Sequence, residues 1–243
     1  MTLEFLTAAG PGAPPARGPL ADAAAAAGAT FEERDGWSVP VGFGDPAAEA
    51  AAAAETVAFA DRSQLTKLEV QGAPDAVAAA LPGLDEEKDR PRVTDSSPGV
   101  LATLVEGAWH CPVRPGVALV LCEPAAGPQR RAALEGGAGV RVCDLTTAWG
   151  ALTVAGPRAR DLFARFCALD LRESVLPVGG WRPGSVARTP GYVLREDDDR
   201  FLMLFGAAHG AYVWEVVADA AAHLGGRPVG QAALTAREEA ARA

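Results

Sequence analysis

The sequence has no run of about 18 apolar residues, the length a helix needs to cross a bilayer, which excludes a membrane-spanning helix. It also has no cluster of Lys and Arg. With a formal net charge of -9 and a pI near 4.9 it would repel a phosphate backbone, so nucleic acid is excluded as a partner. The four cysteines lack C-x-x-C spacing, and the three histidines (His110, His209, His223) are scattered. Only His110-Cys111 are adjacent, and two ligands do not make a zinc site. Cys111, Cys122, Cys143 and Cys167 sit among apolar neighbours and are expected to pack as buried thiols. Gly-x-Gly-x-x-Gly is absent, and the glycines between Gly136 and Gly139 precede a strand, so a dinucleotide fingerprint is excluded. The acidic run Glu196-Asp197-Asp198-Asp199 lacks the spaced oxygen ligands of a calcium loop and reads as a solvated turn. The N-terminus carries Glu4 and no basic flank, which argues against a secretory signal and for the cytoplasm.

What is present is a globular composition, 49% hydrophobic and 22% charged, and a unit that occurs twice. Asp144 to Phe163 reads as a strand, a Gly-Pro turn and a helix, and Asp61 to Val77 repeats it. Leu68, Val70 and Gly72 align with Leu152, Val154 and Gly156 at a constant offset of 84, with the aspartates one residue out of step. This is the mark of an internal duplication. In the first copy Leu68 and Val70 share one strand face, while Lys67 and Glu69 on the other predict a wet face. Gly72 and Gly156 are expected to serve close turns with unusual backbone angles.

Around the repeats, residues 1–19 read as a flexible lead-in, 20–230 as one folded unit with repeat units near 59–81 and 142–167, and 231–243 as a tail. Leu20 to Ala27 predicts a short helix ended by Gly28. Phe31 to Phe43, broken by Gly36, Pro40 and Gly42, predicts an extended loop anchored by aromatics. Asp45-Pro46 supplies an N-cap and a first-turn proline for an Ala-rich helix to Ala58. Leu84 to Pro98 predicts an exposed connection. Strands are expected at Val100–Val105, Val117–Cys122 and Val140–Asp144, and short helices at Pro128–Leu134 and Pro157–Cys167. Ser185–Arg188 and Tyr192–Arg195 would flank a Thr-Pro-Gly turn, and the acidic run would join the latter strand to Phe201–Phe205 as a hairpin. Ala208 to His223 predicts the last strong helix. Strands and helices grouped this way give an α+β class in which a mainly antiparallel sheet carries helices on one side.

Several of these segments resemble the folate-binding domain of the glycine-cleavage T protein and its relatives, among them the gamma subunit of heterotetrameric sarcosine oxidase. The resemblance runs from about Leu20 to Leu234 and rests on order and spacing. It is carried by Gly36-Trp37-Ser38-Val39-Pro40-Val41 before an acidic helix start, both strand-Gly-Pro-helix units, Arg188-Thr189-Pro190-Gly191-Tyr192, and Val213-Trp214-Glu215 with Gly230 after it. It implies two related, swapped subdomains around a central cavity. In the catalytic relatives that cavity holds tetrahydrofolate, with a carboxylate stabilising the positive charge that develops as a one-carbon unit is transferred.

The sequence departs from the catalytic pattern where the chemistry should be. The family's Gly-Gly-x-x-Asp-Asp interval is here Glu106 to Gly116, with Trp109-His110-Cys111-Pro112 and no aspartate. Its pterin glutamate is displaced by Val193-Leu194-Arg195-Glu196-Asp197, which sends the acids toward a turn, and Leu234 stands where the first arginine of the family's terminal Ala-Arg-Asp-Ser-Leu-Arg pattern is expected. The chain stops where the catalytic relatives begin a C-terminal barrel domain, as sarcosine oxidase gamma subunits do. The Lys-Gly-Cys-Tyr-x-Gly-Gln-Glu motif of the iron-sulfur maintenance relatives is absent.

The resemblance therefore implies a component of sarcosine oxidase with no catalytic residue or cofactor of its own, tetrahydrofolate being the ligand the fold could take. Its partners would be the alpha and beta subunits of a flavin-containing enzyme. The enzyme-class alternative is a stand-alone tetrahydrofolate-dependent aminomethyltransferase or demethylase using Glu106 or Glu196 as base. Candidate cavity-lining residues are Arg188, Tyr192, Trp37 and His110, with His110-Cys111 more readily a hairpin tip and Trp37, Trp149 and Trp214 more readily packing than pterin-stacking.

Overall fold

The computed structural model describes residues 14–84 and 100–234. The chain opens with β1 (Ala16–Arg17), α1 (Ala21–Ala26), β2 (Thr30–Arg34), β3 (Trp37–Gly42), α2 (Pro46–Glu55), β4 (Ala58–Asp61), β5 (Thr66–Gly72) and α3 (Pro74–Ala80). There follow β6 (Val100–Leu101), β7 (Thr103–Val105), β8 (Ala108–Arg114), β9 (Val117–Cys122), α4 (Gly127–Glu135), β10 (Val140–Asp144), β11 (Trp149–Ala155) and α5 (Ala159–Phe163). The last elements are β12 (Gly180–Val186), β13 (Thr189–Asp197), β14 (Arg200–Gly206), α6 (Gly210–Ala222) and β15 (Arg227–Pro228). Of the sequence expectations, the connection at 84–98 lies almost entirely outside the described residues, as do 1–13 of the lead-in and 235–243 of the tail.

Three sheets form: β1-β3-β2, the five-stranded β10-β5-β9-β8-β7, and the seven-stranded β15-β4-β11-β14-β13-β12-β6. The two large sheets face each other. Period-two alternation sends Phe59, Leu152, Val154, Val193, Met203 and Phe205 to the outer side of the seven-stranded sheet, against α1, α5 and α6. Leu68, Val70, Ala118 and Val120 point outward from the five-stranded sheet to Val77 and Leu81 of α3 and Leu134 of α4. Between the sheets lies a third cluster that includes Cys111, Leu119, Leu121, Trp181, Leu194, Leu202 and Leu204.

The duplication is visible in the hydrogen bonds. Each copy crosses between the sheets, since β4 and β11 pair in the seven-stranded sheet while β5 and β10 pair in the five-stranded one. The register is reciprocal: Asp61 opposes Leu152 and Asp144 opposes Leu68. Asp61 Oδ1 accepts from Ser63 N at 2.8 Å, and Asp144 Oδ1 accepts from Thr146 N at 2.9 Å, so each crossover begins with the same Asx turn. Each turn's hydroxyl then accepts from the other copy's strand, Lys67 N to Thr146 Oγ1 and Ala151 N to Ser63 Oγ, both at 3.1 Å. The repeat glycines are matched too. A Cβ on Gly72 would stand 2.5 Å from Gly139 O, and one on Gly156 2.5 Å from Thr56 O. Only Gly156 has a positive φ (+128), so close approach and not backbone angle is the shared requirement.

Several expected boundaries are corrected. Phe31 to Phe43 is not a loop: β2 and β3 form a hairpin turning at Asp35-Gly36, both at positive φ (50 and 75), the geometry an Asp-Gly pair supplies. The strand expected at 100–105 breaks at Ala102 and serves both large sheets as β6 and β7. The Thr-Pro-Gly segment lies inside β13, and the chain reverses instead at Ala187-Arg188 (φ 46 and 59) between Val186 and Thr189. The helix after Gly156 spans only Ala159–Phe163. Cys111 and Cys122 are buried as expected, but Cys143 is exposed on edge strand β10 and Cys167 is half-buried.

Candidate functional site

The layer between the two large sheets is where both crossovers meet. From β8, alternation presents Trp109, Cys111 and Val113 to it, and from β9 Leu119 and Leu121. Trp181 of β12, Tyr192 and Leu194 of β13, and Leu202 and Leu204 of β14 face them. Trp181 and Tyr192 are stacked, with ring centroids 4.6 Å apart and planes 6° from parallel, and Trp149 meets Tyr192 edge-on at 5.4 Å. Burial pushes the Tyr192 phenol up, with a smaller contribution from the Glu69 charge. The layer is dry at its centre and half-exposed at Trp109, Val113, Trp149, Tyr192 and Glu69, where it reaches solvent.

Lys67 breaks the internal symmetry. Its counterpart in the second copy is Ala151, yet Lys67 is 0% exposed, so the face predicted to be wet turns inward. Its Nζ donates to Ser63 O at 2.7 Å, Leu65 O at 2.8 Å and Thr146 O at 3.3 Å, tying both crossovers together. Desolvation pulls Lys67 down to about 7, partly opposed by Asp61 and Asp144, and burial raises the Asp61 carboxyl. At the other end of the layer Glu196 is not in the turn expected for it. It lies within β13, its side chain 14% exposed, and accepts from Arg200 Nε at 3.0 Å. The Cys111 thiol is pushed well up, first by burial and then by the Glu196 charge.

The sequence-predicted candidates do not assemble. Of the four cavity-lining candidates Arg188, Tyr192, Trp37 and His110, Tyr192 reaches the layer and the other three do not. His110 is not at a hairpin tip: it is 4% exposed within β8, one residue out of phase with Trp109 and Cys111, and its Nδ1–H donates to Pro82 O at 3.0 Å. Burial lowers its pKa, which keeps it neutral near pH 7. Trp37 is buried in the three-stranded sheet, paired with Arg34 and Ala16. Arg188 is exposed at the left-handed β12–β13 turn. Trp214 packs on the helical side, stacked on Phe43 at 6.1 Å and edge-on to Phe59 at 5.2 Å. Glu106 is exposed at the β7–β8 turn, with φ 49. Lys67 and Trp181 were invisible to sequence reasoning because period-two alternation identifies two faces without saying that both are covered.

Residues 125–242 match the family model described as the GCVT N-terminal domain. This stretch, just under half of the chain, is similar to that family. The fold agrees. A chain of the heterotetrameric sarcosine oxidase from Corynebacterium sp. U-96, in complex with pyrrole 2-carboxylate, superposes with a TM-score of 0.60 at 23% identity, covering 84% of this chain and 94% of that one. Aminomethyltransferase T of the glycine cleavage system from Bartonella henselae gives 0.67 at 16% identity, covering 90% of this chain. The present chain spans 60% of that aminomethyltransferase. No curated protein matches the sequence significantly.

Tetrahydrofolate, the ligand the sequence resemblance implies, does not fit the centre of the inter-sheet layer. The deep members of the layer, Trp181, Leu194, Leu202, Leu204, Leu119 and Leu121, are each at most 2% exposed, so they offer no open face to a ring-sized ligand. The carboxylates around it are engaged: Asp61 in its Asx turn, Glu196 with Arg200, and Glu69 with Gln71 Nε2 at 2.5 Å. No group of His, Cys, Asp and Glu able to hold a metal ion occurs among the described residues. No helix among them is long and apolar enough to cross a membrane.

Proposed function

We propose that the chain is a non-catalytic, gamma-subunit-like component of a heterotetrameric sarcosine oxidase, docking onto alpha and beta subunits of a flavin-containing enzyme in the cytoplasm. In that role it supports tetrahydrofolate-linked oxidative demethylation of sarcosine to glycine without contributing an active site. What supports this reading is the likeness in fold to a chain of a heterotetrameric sarcosine oxidase, together with inter-sheet acids that are already engaged, Glu196 by Arg200 and Glu69 by Gln71.

The alternative, a stand-alone tetrahydrofolate-dependent transferase, needs a free base. Glu106 is on the surface and Glu196 is bound to Arg200. Coexpression with candidate alpha and beta subunits tests the proposal: the expected result is a stoichiometric copurifying complex with sarcosine-dependent oxygen uptake. A chain that elutes as a monomer beside an assembled alpha–beta enzyme would overturn it.

A further inference from the structure

We infer that the inter-sheet layer has become a dry structural core instead of a ligand cleft, with the Trp181 indole lying flat on Tyr192 in the position a planar ring would need for stacking. The inference rests on the family reading above and is decided by this chain's own side chains.

Trp181 stands on β12 opposite Leu194, with Val100 of β6 on its other flank. Tyr192 is two residues from Leu194 along β13, so the two rings are diagonal cross-strand neighbours on one face. Their near-parallel stack at 4.6 Å uses the Tyr192 face that a flat heterocycle would need. The five-stranded sheet completes the enclosure with Leu119, Leu121 and Cys111, all at most 2% exposed. Trp181 Nε1 is buried with no hydrogen-bond partner. An unpaired buried donor can mark a waiting ligand, but Trp181 is 0% exposed and no acceptor can approach without moving it. The indole is therefore retained for the volume and flat surface it fills, at the cost of one silent N–H.

The polar groups at the two ends of the layer fit the same picture. Lys67 gives its ammonium protons to three carbonyls of its own chain, and Arg200 closes Glu196. Lys67 is spent on holding the two copies together, and Glu196 on the hairpin it shares with Arg200.

The test uses the full chain. Calorimetry with tetrahydrofolate to high micromolar concentration is expected to give no heat. The Trp181 Nε1–H resonance, assigned by its loss in Trp181→Phe, is expected to stay fixed in that titration and to exchange with deuterium at least 100-fold more slowly than that of half-exposed Trp149. Trp181→Gly should open a ring-sized space, so that indole, used as the probe, raises its Tm while leaving the wild-type Tm unchanged. If that variant does not fold, the two wild-type measurements decide. Tetrahydrofolate heat accompanied by movement of the Trp181 resonance, or exchange as fast as at Trp149, would overturn the inference. The copurification above reads the subunit proposal separately, since neither outcome there alters ligand binding by the isolated chain.

Discussion

Replacing Lys67 with Met removes a charged side chain that joins the two crossovers while keeping its apolar stem. Three carbonyls, Ser63 O, Leu65 O and Thr146 O, lose their donor in a site with 0% exposure. At about 1 kcal/mol for each acceptor left without a partner, Lys67→Met should cost about 3 kcal/mol. In a chain of this length that corresponds to a Tm lower by roughly 6–12 °C.

The pH dependence is a sharper measurement. Lys67 has a folded pKa near 7, below the ordinary lysine value, so between pH 7 and about 10 the unfolded chain binds a proton that the folded chain does not. Stability attributable to Lys67 therefore rises with pH across this window, by up to about 1.4 kcal/mol per unit, and is flat below it. The raised thiols of Cys111, Cys122 and Cys167 and the raised Tyr192 phenol act in the opposite sense, because the unfolded chain loses those protons first as pH rises. They are common to both proteins and cancel in the difference. Urea unfolding of wild type and Lys67→Met at pH 6.5, 8 and 9.5 should give a gap that widens with pH. A gap constant in pH would refute the titration of Lys67 in this window, and a gap below about 1 kcal/mol would refute its role as a tie between the crossovers.

Three further substitutions probe other parts of the argument. Glu49 is buried at 3% exposure and accepts from Phe43 N at 2.6 Å and Gly230 N at 2.7 Å, so Glu49→Ala should cost about 3 kcal/mol in urea unfolding as two N–H groups lose a charged acceptor. Gly156→Ala combines a φ of +128 with a Cβ 2.5 Å from Thr56 O and should cost more than about 2 kcal/mol, and more than Gly72→Ala, whose penalty is steric alone. Arg188→Gly should instead stabilise by about 1 kcal/mol, read as a higher Tm, because it relieves a left-handed residue whose side chain is exposed. A Tm unchanged or lowered by Arg188→Gly would mean that the side chain makes a contact worth as much as the strain.

Some of this architecture was written locally. Asp45-Pro46 caps and starts α2, and the Asp45 carboxylate accepts from Ala47 N and Ala48 N, because an N-cap acts through residues two and three positions on. The duplication could be read from Leu68, Val70 and Gly72 because copies of one strand and turn must bury the same positions in the same order. The Glu196–Asp199 hairpin followed from like charges that need solvent, although its reversal occupies only Asp198-Asp199.

Other features depend on which surface meets which. His110 and Cys111 are adjacent in sequence, yet alternation sends Cys111 to the inter-sheet layer and His110 to Pro82 O. Val100 to Val105 reads as one strand, but the segment must end one sheet and begin another, and no local signal at Ala102 announces it.

The sequence by itself determined the α+β class and the repeat, because composition, periodicity and spacing are local properties. Only the tertiary structure decided that Lys67 lies in the interior and Trp181 fills the space between the sheets. A strand's period of two assigns side chains to two faces, and whether a face meets water or a second sheet is fixed by a partner far away in the chain.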